Sequence, residues 1–566
     1  MKHLFLLVTL IITTQQIGVT QHCSESVAYA FLHGNDVKAA FRNGGDMFWT
    51  GAGSAQYQVP YTNSSSTSSL FAAALWMGGQ DKNGNLHLAA QTYRMSGNDY
   101  WAGPINDTTG HPSNLDCQNF DQLWIVNKVA ILALLADFAD GTIDNTPDNS
   151  LLRWPAKGNP HFQGLVGFSL PNKDLAPFFD QNNDGIYNPY EGDYPTYEQN
   201  LPNAFANEML WSIFNDNGNG NIHGASGGTP LNVEVHQMAL AFSCSSDSLI
   251  SRTIFTRHKI ISKNPETIHE FKLGLWLDPD LGCHTDDFVG TVPSMNTMYV
   301  YNRDNNDDNS CVPGGIGYGH NPPVQAITFL NQPLEYTLYH TDSPSDPKGP
   351  PSTALGYHRM LSGQWTNGLP LSQGGTGYSQ TNPSTNYVFP DNPNNSGGWS
   401  MISESLIGLD PRLVGSMVKD SLVLGESITL DIAYSYHRDL DSSNLQNVNL
   451  MYEQVPMVQD FYNNNFSCAT ITSVAEVKTP KNNKQLIQND FKIYPNPSTD
   501  KIYVELGDQM VESVGLYSLL GQELQQQRKA SGTIEFHRNG LLDGIYLIQI
   551  QTRQGIATQK VQLTSY

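Results

Sequence analysis

The densest run of potential ligands in the chain is DQNNDGIYNPYEGD, residues 180–193, which holds four acidic side chains, three Asn and two Gly. Aligned with the calcium loop of an EF-hand, Asp180, Asn182 and Asp184 take positions 1, 3 and 5, and Gly185 takes the sharp turn. Ile186 then offers a backbone carbonyl, Asn188 stands where a ligand acts through water, and Glu191 takes the bidentate last position. Pro177 before the run and Gly192 and Pro195 after it argue against long flanking helices. The expectation is a structural calcium loop of the dockerin or thrombospondin type 3 kind. The competing reading is an Asn/Asp/Gly-rich turn that holds no metal.

A second acidic group, Asp278, Asp280, Asp286 and Asp287, lies in LDPDLGCHTDDF at a strand end, with Asp304, Asp307 and Asp308 shortly after. Three chemistries compete: a second metal cluster, solvated turns, and a glycosidase acid and base, which need carboxyl groups about 5–10 Å apart across a sugar cleft. With no signature for a catalytic pair, calcium is the favoured reading of this cluster. Other catalytic patterns fail in context. Gly224-Ala225-Ser226-Gly227-Gly228 satisfies GxSxG but leads from a loop into a strand, whereas a nucleophile elbow leads from a strand into a helix. There is no HExxH, P-loop or dinucleotide fingerprint, and His236, His258 and His269 on strand-like segments read as core or surface residues. No catalytic residue is assigned, and the balance leans away from an enzyme.

The elements that position these residues are mostly β. The 566-residue chain has a formal net charge of -23, which excludes phosphate backbones and anionic membrane surfaces as natural partners. Residues 1–20 read as a signal peptide, with Lys2 and His3 ahead of an apolar run over 4–12 that is too short to span a bilayer. Lipidation at Cys23 is an alternative, but VTQHC lacks the residues expected before such a cysteine. Six cysteines in an oxidising compartment imply disulfides; fifteen pairings are open, and Cys283 and Cys311 could staple the Asp-rich region between them.

Residues 21–470 read as a large antiparallel sandwich or jelly-roll body, with one or two subdomains. Asn83-Gly84 marks a hairpin, and NVEVHQMALAF, LISRTIFTRHKIIS, IHEFKLGLWLD and ESITLDIAYSYH read as strands. DQLWIVNKVAILALLADFAD and NLQNVNLMYEQVPMVQDFYNN read as helices. Residues 471–489 are a polar linker, and from 490 to 566 short strands restart at the spacing of a small immunoglobulin-like sandwich.

Within that last segment, Tyr494-Pro495-Asn496-Pro497, LYSLLGQEL with Gly521, GIYLIQI with Gly544 and Tyr546, and Lys560-Val561 occur in an order that resembles the type A sorting domain of the type IX secretion system of Bacteroidetes. The resemblance implies an address, recognised by the secretion machinery at the outer membrane. In the body, LRWPAKGNP, the 180–193 run and DPDLGCHTDDFVG resemble segments of large secreted Bacteroidetes proteins, a resemblance that implies no chemistry. The expected protein is a calcium-stabilised β-protein at the cell surface or in the medium, adhesive, structural or bound to an extracellular polymer such as a surface polysaccharide. The alternative is a secreted hydrolase of carbohydrate or protein.

Overall fold

The computed structural model describes residues 23–51, 53–62, 67–218, 220, 222–244, 248–308, 317–407, 410–468, 491–506, 511–518, 523–539, 541, 544–552 and 555–564. The expected signal peptide, the expected linker, Cys311 and Gly521 lie outside them. The chain divides into two compact units, one up to Ser473 and one from Val474.

The body is built on strands β1 (Ala72–Gln80), β2 (Phe178–Phe179), β3 (Tyr194–Pro195), β4 (Glu208–Asn215), β5 (Val233–Ala241), β6 (Thr253–Ser262) and β7 (Ile268–Asp278). These are followed by β8 (Asp287–Val292), β9 (Thr297–Asn302), β10 (Val324–Phe329), β11 (Tyr336–His340), β12 (Arg412–Leu422) and β13 (Ser427–His437). A ten-stranded antiparallel sheet runs β11-β12-β7-β1 and then through short N-terminal strands. A nine-stranded antiparallel sheet runs β8-β9-β10-β13-β6-β5-β4, with Trp101–Ala102 and Trp124–Asn127 both paired to β4. One cluster of buried side chains draws on both sheets, from Leu75, Trp76, Leu273 and Leu275 to Val235, Ile260, Val300 and Tyr434, so the body is a β-sandwich.

The nine-stranded sheet is also covered on its other face. Trp211, Met238, Leu240 and Phe255 join a second core with Ile131, Leu134, Trp154, Val458 and Phe461, contributed by helices α1 (Lys128–Asp137) and α2 (Asn444–Asn463) and the chain between them. That is why β5 is buried along its whole length and its alternation is only partial in sequence. The α1 region departs from expectation at its start: Trp124–Asn127 is a strand, and the helix begins only where the Asn127 side chain accepts from Ala130 N. The Asn83-Gly84 hairpin joins β1 to Leu86–Ala90, with Asp81 accepting from the backbone of Asn83 and Asn85 and Gly84 at φ +81.

Two disulfides join Cys23 to Cys117 and Cys244 to Cys468, and Cys283 is also disulfide-bonded. The second unit has a three-stranded sheet (Lys492–Tyr494, Lys501–Glu505, Thr533–His537) and a four-stranded sheet (Glu523–Ala530, Val511–Ser518, Gly544–Thr552, Gly555–Leu563) around its own core, which includes Val504, Val514, Phe536 and Ile548.

Candidate functional site

β2 and β3 form a two-residue ladder, Phe178 opposite Pro195 and Phe179 opposite Tyr194, and the 180–193 run is the loop that closes it. Asp180 is buried and accepts from Asp184 N (3.2 Å) and Gly185 N (2.7 Å), while Asp184 accepts from Ile186 N (2.8 Å). The Asn182 amide donates to both Asp184 Oδ2 (3.1 Å) and Glu191 Oε2 (2.8 Å), so side chains from the first, third, fifth and last loop positions share one small network. Asn188 caps the turn Pro189–Glu191 through Tyr190 N and meets His161 Nε2 at 3.2 Å. Gly185, at φ +78, makes the sharp turn. Asp193, outside the EF-hand pattern, is fully buried and accepts from Gln181 N and Asn188 N; burial raises its carboxyl to about 6, helped by Asp180 and Asp184.

The legs of this hairpin form one wall of an open groove of about 430 Å³. Its floor is the outer face of the nine-stranded sheet. Strand periodicity aligns Trp211 on β4, Glu234, His236 and Met238 on β5, Arg257, Lys259 and Ile261 on β6, and Ser427 and Thr429 on β13. Leu175 and Pro177 from the incoming leg and Tyr197, Glu198 and Gln199 from the outgoing leg rise beside it. Gln199 also accepts from Phe178 N, tying the two legs together at the rim.

Most charges in the groove are spent on each other. Lys173 meets Glu234 at 2.6 Å, Lys263 meets Asp107 at 2.7 Å, and Arg257 is bidentate on Asp431 (2.9 and 2.8 Å) while also bridging Glu198. Asp174 pairs with Lys157 at 3.2 Å. Lys259 is exposed and has no ion pair among the described residues. Burial would raise the Glu234 carboxyl, but His236 at 3.0 Å and Lys173 outweigh it and hold the group down at about 2. Of these residues only His236 stands out in the sequence, as a core or surface side chain on a strand.

The second acidic group of the sequence falls into two places. Asp278, at the end of β7, and Asp280 come within 4.8 Å of Asp410. Arg412 forms ion pairs with Asp278 (Nε to Oδ1, 3.0 Å) and Asp410 (to Oδ2, 2.8 Å), and the Tyr93 hydroxyl donates to Asp278 Oδ2. Burial raises Asp278 to about 6 against the opposing charge of Arg412, and burial beside Asp278 raises Asp280 well above its usual range. Asp286 instead approaches Asp307. Asp287, fully inside, accepts from Leu281 N at 2.8 Å. Ser226 of the GxSxG match is buried in a turn, where its Oγ accepts from Gly228 N, as suits a loop residue.

In the second unit the Asn496 side chain reads the last strand's backbone twice, donating to Lys560 O (3.0 Å) and accepting from Gln562 N (2.8 Å). Tyr494 stacks on Tyr503 with centroids 5.8 Å apart, and Tyr546 stands opposite Val561 in the ladder. The Tyr-Pro-Asn-Pro, GIYLIQI and Lys-Val motifs, far apart in sequence, are thus stitched together at one edge of the sandwich. Gly544 opens the strand that carries Tyr546.

No curated protein matches the chain. A solved structure described as "Biofilm associated protein - BSP domain" aligns over 87% of this chain and 81% of that one, at 9% identity and a TM-score of 0.13, a likeness too slight to bear on fold or function. Among the described residues no helix is long and apolar enough to cross a membrane. Residues 492–564 match the family model described as "Secretion system C-terminal sorting domain", so the chain carries a type IX sorting domain and is exported to the cell surface or medium.

Proposed function

We propose that the exported body is a binding protein that holds an extracellular, carboxylate-bearing polysaccharide in the groove, with a structural calcium ion bracing the hairpin that walls it. The observation that supports this reading is the groove itself: four strands wide, open along the sheet, and lined by groups that recognise rather than react. Ser427, Thr429, Gln199 and His236 suit sugar hydroxyls, and Lys259 is the cation left for an acidic sugar. A hydrolase needs an acid that carries its proton near neutral pH. Glu234, the most deeply buried carboxylate in the groove, is locked in the ionised state by His236 and Lys173.

Calcium would enter through the Asn182 network. Amide oxygen and nitrogen are nearly the same shape, and turning this amide over, at the expense of the bond its Oδ1 accepts from Asp184 N (3.0 Å), presents Oδ1 in place of the NH₂ to a cation between Asp184 and Glu191. Asp180 would complete a hard oxygen set suited to calcium.

The test is binding of the purified exported protein to immobilised acidic and neutral polysaccharides, with assay of released reducing ends. Retention on acidic polymers, lost in Lys259→Glu, supports the proposal. Retention on none of them overturns it, and release of sugar from any of them supports the hydrolase instead.

A further inference from the structure

The turn His284–Asp286, the end of β9 and the short strand Asn306–Asp307 converge beside the edge strand of the nine-stranded sheet, and they do so with too many acceptors. Asp286 and Asp307 carboxyl oxygens approach within 4.8 Å. The Cys283 sulfur lies in the same group, but it is held in a disulfide and offers no thiolate. Asp286 Oδ1, Asp287 Oδ1 and Asn302 Oδ1 are buried without a hydrogen-bond partner, in residues 7%, 3% and 0% exposed. The Asn302 NH₂ donates to Asp304 O (2.9 Å) and also hydrogen-bonds the Asp286 carboxyl, which leaves Oδ1 as the unmet acceptor of this amide. Asp287 stands directly opposite Asn302 in the β8-β9 ladder.

Buried acceptors without donors are costly, and several facing each other define the shape of a missing positive partner. No Lys or Arg side chain pairs with Asp286, Asp287 or Asp307 among the described residues. Asp307 is built to stay in place. It accepts from Cys283 N (2.9 Å) and Tyr318 N, and the backbone folds so closely around it that a Cβ on Gly282, at φ +74, would fall 1.9 Å from Asp307 Oδ2.

We propose that Asp286, Asn302 and Asp307 hold a divalent calcium ion, with Asp287 adding charge beside it, independent of the 180–193 loop. The donor set is all oxygen, which selects calcium over zinc or copper. The ion would pin the His284–Asp286 turn and the Asn306–Asp307 segment beside β8, the terminal strand of the sheet.

The test starts from full exported protein carrying Glu191→Gln, which removes the contribution of the other loop. Equilibrium dialysis with calcium should still find one bound ion, and chelator should still lower the melting temperature. Adding Asp286→Asn and Asp307→Asn should abolish both; their persistence overturns the proposal, as does a Glu191→Gln protein that binds no calcium. Should the triple variant fail to fold, Asn302→Asp in the Glu191→Gln background decides. A further carboxylate on a true site should tighten calcium several-fold, whereas unchanged or weaker binding overturns the site. The difference between wild type and Glu191→Gln alone reports on the 180–193 loop, so failure of one site is separable from failure of the other.

Discussion

The His223 ring lies 3.6 Å from the Asp99 carboxylate, and neither side chain reaches solvent. Both ring nitrogens face carbonyl oxygens, Nδ1 to Leu88 O at 2.8 Å and Nε2 to Asp216 O at 2.6 Å. Carbonyls only accept, so both nitrogens donate and the ring is an imidazolium. Burial pulls its pKa down, but the hydrogen bond and charge of Asp99, with Asp216, raise it to about 9.

The folded pKa is above the unfolded one, so the stabilisation is complete below about pH 6.5 and is lost as pH rises through about 9. Denaturant midpoints should fall across that window by the equivalent of about 3 kcal/mol. His223→Gln should be less stable at pH 6 and show a flatter slope between pH 6.5 and 9. An unchanged slope in the variant would place the titration elsewhere.

Calcium in tenfold excess over its dissociation constant should stabilise the body by about 1.4 kcal/mol through the 180–193 loop. Glu191→Gln keeps the length of the last-position side chain and its contact to Asn182, yet removes its charge. Calorimetry with and without chelator should show a smaller calcium response in the variant than in wild type. Equal responses would leave the loop a bare turn.

Among the described residues Arg412 is the only cation paired with Asp278, which is 3% exposed. Removing one partner of a buried pair strands the other, so Arg412→Ala should cost about 3–5 kcal/mol. Adding Asp278→Asn removes the stranded charge and should recover part of that loss in chemical denaturation. A double variant no better than Arg412→Ala would show that the cost lies in lost packing.

Asn496→Ala deletes both bonds to the last strand and leaves Gln562 N without its side-chain acceptor. Both bonds lie at the surface, where water can replace them, so the sorting unit should lose about 1 kcal/mol. Cells producing it should retain more protein in the periplasm, as should cells producing a chain stopped at about residue 485. Export of either at wild-type level, measured by fractionation, would count against a sorting role for this edge.

The sorting unit was the most legible part of the sequence because its signal is local and ordered: motif residues 494–497 and 560–561 are also the ones that touch. The β character of the body was legible for a similar reason, since each strand carries its own pattern. The groove was not. Trp211, His236, Lys259 and Thr429 share a face only through the register of four strands, which no short window encodes. The split of the Asp278–Asp287 run was hidden too, because its partners Asp410 and Arg412 on one side and Asn302 and Asp307 on the other arrive from distant segments. Residues 124–127, read as the start of a helix, became a strand because β4 offered an open edge beside them.

The Cys244–Cys468 bond also sets how the body answers a mechanical load. Tension applied to the chain beyond Ser473 arrives first at Cys468, just past the end of α2. Without a cross-link it would peel that helix away turn by turn. With it, the pull passes to Cys244, three residues beyond β5, and is taken by a strand hydrogen-bonded on both sides within the nine-stranded sheet. A body fixed to a surface from that end and gripping a polymer in flow would bear the drag in its sheet, with the helix left out of the load path.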